Sequence, residues 1–199
     1  MQIQTKMRGW VTIKDPITKE ILIQKENQIH YENMSESLAQ CLIFNTTYGG
    51  GIKSLHFGNG GTSVDPTGII TYLPPNIATQ NSSLYNKTYE KIVSQYYAGN
   101  ADPTSNRVEV RHVPGEVFSD ILITCLLNYN EPYDQEAFDT SADLNSSYTF
   151  DEIGVVAENG KLLAHVIFHP FQKSLNRLIQ IDYTIRIQTL TSVFNSEEN

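Results

Sequence analysis

The sequence predicts a mainly β domain: an antiparallel β sandwich or sheet with one packed α-helix and long loop insertions. Three observations predict it. Residues 177–190 alternate, with Ile179, Ile181, Tyr183, Ile185 and Ile187 set against Gln180, Asp182, Thr184, Arg186 and Gln188. That is the period of a strand with one buried face. Residues 148–169 hold two apolar runs joined at Asn159-Gly160, a dipeptide suited to a type I′ hairpin turn. Only residues 31–44 read clearly as helix, because Tyr31, Met34, Leu38, Cys41 and Leu42 fall on one helical face.

The remaining elements follow in chain order. Residues 7–25 predict a hairpin, with Trp10-Val11-Thr12-Ile13 answered by Ile21-Leu22-Ile23 across Asp15-Pro16. Proline there removes a ladder donor and fixes φ, which favours a turn. Asn33 with Glu36 offers a capping pair for the helix. Ile52–Phe57 predicts a short strand with Lys53, Leu55 and Phe57 on one side. From 58 to 106 the pattern is poor and rich in turn formers. A short helix over 86–96 is one reading there, since Tyr89, Ile92 and Val93 share a helical face. Residues 107–113 and 117–129 predict two strands around Pro114-Gly115. The second carries apolar residues on both faces, which predicts a strand covered on both sides. Residues 130–147 read as a polar, acidic loop.

A chain of 199 residues fits one domain, 1–199. Within it, 1–48 holds the first hairpin and the helix. Residues 49–193 hold the main β region, with insertions at 58–106 and 130–147.

Composition bounds the function. A net charge of -8 argues against a nucleic-acid groove, which needs a concentrated positive field against phosphate. No apolar run approaches the ~18 residues of a membrane span, and the first residues lack the apolar core of a secretory signal. Cys41 and Cys125 sit inside apolar patterns and read as buried free thiols.

The chemical motifs resolve to structural readings. Gly58, Gly60 and Gly61 sit in a glycine-rich loop, but Val64-Asp65-Pro66 follows where a phosphate loop needs a helix and a lysine. The expectation is a turn needing φ > 0 at several positions. His165 and His169 on a strand lie roughly 13 Å apart, too far for one ion. A paired-carboxylate site needs two carboxyls facing one cleft at a defined gap. Asp151 and Glu152 are adjacent, so on a strand they face opposite ways, and beside Asp182 they are read as structural. The reading therefore assigns no catalytic residue, cofactor or metal. Asn159 and Gly160 join the three glycines as structural turns. Candidate interface residues are Ile69, Ile70, Tyr72, Leu73, Tyr85, Tyr89, Tyr96, Tyr97 and Phe138, apolar or aromatic side chains within long polar insertions.

Three stretches together resemble the N-terminal domain of tail-collar and tail-fibre proteins of tailed bacteriophages. They are Gly58-Asn59-Gly60 with Asp65-Pro66, then Leu84-Tyr85-Asn86-Lys87-Thr88-Tyr89, then Glu152-Ile153-Gly154-Val155 with Gly160-Lys161-Leu162-Leu163-Ala164. The run His30-Tyr31-Glu32-Asn33-Met34-Ser35 also looks like openings of virion proteins in T4-like phages. The resemblance covers about residues 50–190. It implies a non-enzymatic virion protein assembled in the bacterial cytoplasm. Its partners would be other tail, baseplate, neck or fibre proteins and further copies of itself, with no nucleic acid or membrane. The chain stops at Asn199 without a shaft or adhesin, so the expectation is a compact adaptor. A carbohydrate-binding β sandwich is the alternative, supported by the loop tyrosines.

Overall fold

In the computed structural model the described residues are 3–30, 34, 51–112, 114, 118–132 and 147–191. They form strands β1 (Ile3–Lys14), β2 (Ile21–Glu26), β3 (Gln28–Ile29), β4 (Ile52–Gly58), β5 (Thr62–Val64) and β6 (Ile70–Tyr72). The series continues with β7 (Lys87–Ile92), β8 (Arg107–His112), β9 (Phe118–Leu127), β10 (Ser147–Ala157), β11 (Leu162–Ser174) and β12 (Ile179–Thr191). One five-stranded sheet has the order β2-β1-β12-β9-β8, and a second has the order β3-β11-β10-β4-β7. Strands β5 and β6 form a separate hairpin. Neighbours pair antiparallel throughout.

One apolar core draws from both large sheets. The predicted inner face of β12 supplies Ile179, Ile181, Tyr183 and Ile185, all fully buried. Leu55 and Phe57 of β4, Phe150 and Ile153 of β10, and Phe168 of β11 join the same core. Burying each such side chain stabilises by about 1.5–3 kcal/mol. Strand β1 lies between β2 and β12, so the N-terminal hairpin is part of the sandwich. Its turn is closed by Asp15, whose carboxylate accepts the N–H groups of Ile17 and Thr18 at 2.7 and 2.9 Å.

Several expectations change. Among the described residues no helix extends beyond the single residue Met34. The helix expected over 31–44 lies outside them except for Met34, and Cys41 and Phe138 also lie outside. Residues Lys87–Ile92 are strand, not helix. Pairing of β7 with β4 overrides the weak helical spacing, and Tyr89 packs its ring 6.0 Å from Phe57. Strand β9 is covered on one face. Ile123, Cys125 and Leu127 are buried, while Leu122 and Leu126 are half-buried on the outer side. Much of 58–106 is also built structure rather than open insertion, since it contains β5, β6 and β7.

The turn at 157–161 differs from type I′. Among the described glycines only Gly68 and Gly160 have positive φ, 86° and 80°, and Asn159 is not among the residues with positive φ. Gly160 N–H bonds to the Ala157 carbonyl at 2.9 Å, and Ala157 N–H to the Lys161 carbonyl at 2.9 Å. That is a three-residue loop closed by a left-handed glycine.

Candidate functional site

Strand β10 places Asp151 and Glu152 beside the glycine-rich loop. Its register with β11 shifts between Phe150 and Glu152. Phe150 and Ile153 both point into the core, so the two carboxylates between them are released toward the same loop. This corrects the expectation that they face opposite ways, because a β-bulge breaks the period of two.

Glu152 is fully buried and fully engaged. Its Oε1 accepts the N–H groups of Gly60 at 3.2 Å and Asn86 at 2.8 Å. Its Oε2 accepts Tyr85 N–H at 3.0 Å and the His165 ring at 3.0 Å. A carboxylate has about four lone-pair sites, and all are used. His165 Nδ1 accepts the Asn76 N–H at 2.8 Å, so Nε2 carries the proton that His165 donates to Glu152. Burial would raise the Glu152 pKa, but the bond from His165 and the Asn86 and Tyr85 N–H groups outweigh it and hold it below the ordinary value.

Asp151 does the same for the start of β5. It accepts Gly61 N–H at 3.0 Å, Thr62 N–H at 2.8 Å and the Thr62 hydroxyl at 2.6 Å. Burial raises its pKa despite those bonds. Opposed shifts on adjacent carboxylates can mark acid–base chemistry. Here the oxygens are committed to loop N–H groups, and the arrangement fastens backbone.

The glycines make room for this fastening. A Cβ on Gly58 would lie 2.5 Å from Glu152 Oε1, one on Gly60 2.7 Å from Asn86 N, and one on Gly61 2.9 Å from Ile167 Cγ2. None of the three has positive φ, so close approach, not turn geometry, explains them. Gly154 leaves space for Leu84 and Leu162, and a Cβ there would lie 2.6 Å from Leu162 Cδ1.

Residues 74–86 cross the outer side of the second sheet as a strap. Tyr85 hydroxyl donates to the Pro74 carbonyl at 2.8 Å, and its ring lies 6.0 Å from His165. The His30 ring bonds the Thr79 carbonyl at 2.6 Å. The β5–β6 hairpin leaves this base as an arm. Asp65 Oδ1 fixes its tip by accepting Thr67 N–H at 2.8 Å and Ile69 N–H at 3.0 Å. Val64 is 62% and Ile69 63% exposed on the arm, with Tyr72 and Leu73 exposed beside them and Ile70 half-buried. These side chains give the arm an exposed apolar surface.

The other candidates scatter. Tyr89 is buried in the core and is not an interface residue. Tyr72 hydroxyl meets His169 at 3.2 Å, near β11, whereas the Tyr97 ring stacks under Lys53 of β4 at 4.7 Å. Tyr96 is 90% exposed. His165 and His169 have separate partners, and Asp182 lies in the other sheet with Lys14. Among the described residues no group of three His, Cys, Asp or Glu side chains could hold a metal ion.

One buried charge escaped the sequence reading. Lys173 is fully buried, and its ammonium donates to the carbonyls of Asn128, Glu131 and Ser174 at 3.0, 2.8 and 2.8 Å. Lys91 meets Glu131 at 2.5 Å in the same loop. Burial lowers the Lys173 pKa to about 8. No protein-family model, curated protein or solved structure matches this chain.

Proposed function

We propose that the chain is a non-enzymatic structural adaptor of a tailed-phage particle, joining other virion proteins in the tail, baseplate or neck. One observation carries this reading. Three of the segments that resemble tail-collar domains, Gly58–Gly60, Leu84–Tyr89 and Glu152–Val155, lie far apart in sequence yet meet around Glu152. The shared residues are thereby explained as parts of one fastening that fixes a loop, a strap and an arm. A rigid arm with exposed apolar side chains suits assembly, since its ordering cost is met before docking.

The same reading keeps the helix over 31–44. The Met34 N–H bonds to the His30 carbonyl at 2.9 Å, the i to i−4 bond of a helical turn. A sugar-binding platform has weaker support, because the exposed tyrosines fall into separate neighbourhoods near β11 and near β4.

The test is localisation. A tagged chain made in cells producing the particle should copurify with intact particles and be labelled by antibody at the tail, baseplate or neck. Its absence from purified particles would reject the proposal.

A further inference from the structure

Strand β8 is the last strand of its sheet among the described residues, and its outer edge has a particular form. Val108 N–H and C=O point away from β9 and are held by the Gln95 side-chain amide at 2.9 and 2.8 Å. The edge therefore already receives one peptide-like group. By strand alternation the N–H and C=O of Val110 point the same way. Val110 is 74% exposed. It borders an open groove of about 980 Å³ shared with Tyr96, Glu109, Arg111 and Leu122.

The sequence of this edge is Arg107-Val108-Glu109-Val110-Arg111. A second copy laid antiparallel and centred on Val110 would set Val110 opposite Val110. It would also set Glu109 opposite Arg111, twice. These charged pairs fall at non-hydrogen-bonded positions, where side chains approach most closely. The same charges are complementary about Val108, but Gln95 occupies that residue's backbone, which selects the Val110 register. A charged edge of this order repels unrelated strands while matching its own copy.

We propose that β8 is a two-fold homodimer edge, at which two copies join their β2-β1-β12-β9-β8 sheets into one continuous sheet. The first contact is the reciprocal Val110 backbone pair, with each Glu109, which also holds Arg107 of its own strand at 2.9 Å, pairing with Arg111 of the other copy. Extension along the edge requires Gln95 to leave Val108, exchanging its two bonds for those of residue 112 of the second copy. The proposal does not depend on the virion reading.

The test is light scattering or sedimentation of the full chain over a concentration series. Wild type should reach twice the chain mass at high concentration and return toward one chain mass as salt rises. Arg111→Glu should weaken the dimer by roughly tenfold, since attractive cross-strand pairs become repulsive. The swapped double variant Glu109→Arg with Arg111→Glu should restore it. A wild type that stays monomeric at every concentration overturns the proposal, even if the edge binds another protein. A double variant as weak as Arg111→Glu overturns it too.

Discussion

Glu152 Oε2 accepts a 3.0 Å hydrogen bond from His165 Nε2, with both side chains fully buried. The pair joins β10 to β11 from the outer side of the sheet. Through Asn76 and Tyr85 it also holds both ends of the strap. A buried pair stripped of one partner is costly because the other is left uncompensated.

Glu152→Gln is therefore expected to destabilise the fold by about 2–4 kcal/mol, because an amide nitrogen would confront N–H donors it cannot accept. Urea unfolding measures it. The Glu152 pKa is lowered in the folded state, so its contribution is present above the ordinary value of 4.5. It is lost as pH falls through the lowered value. The gap between wild type and Glu152→Gln should narrow in acid.

The glycines separate two kinds of constraint. Gly58→Ala drives a Cβ against the Asn86 carbonyl and Glu152, and a loss of about 2–3 kcal/mol is expected from overpacking. Gly68→Ala meets nothing within 4 Å but sits at φ 86°, so about 1 kcal/mol of backbone strain is expected. Thermal melts of the two variants should rank in that order.

Lys173 gives a pH dependence of the same sign as Glu152, but in the alkaline range. Burial lowers its pKa from 10.5 to about 8. Between those values the unfolded chain binds more protons, so this group makes stability rise with pH. Urea midpoints of wild type relative to Lys173→Met should climb from about pH 8 to about pH 10.5 and stay level below about pH 8.

Much of the sandwich is legible locally. The alternation of β12 and the apolar runs of β10 and β11 specify strands without outside help, because burial of one face fixes their period. The Glu152 cluster is not legible that way. The clash partners of Gly58 and Gly60 are Asn86 and Glu152, far away in sequence, so a reading of the loop alone assigns those glycines to positive φ. The direction of Asp151 depends on a bulge that no residue type announces. Tyr89, Ile92 and Val93 fit a helical face by spacing, and only their place beside β4 makes them strand. Lys173 lies in a polar-looking run, and its burial depends on three carbonyls, two of them from a distant loop.

Hydrogen exchange on the free chain and on the assembled particle tests the central claim, that Asp151 and Glu152 hold a preformed arm for docking. In the free chain the bonded amides of Gly61, Thr62 and Ile69 should already exchange slowly. In the particle, residues 63–73 should gain further protection, because Val64, Ile69, Tyr72 and Leu73 become covered. Equal exchange of 63–73 in the free and assembled forms would contradict the account.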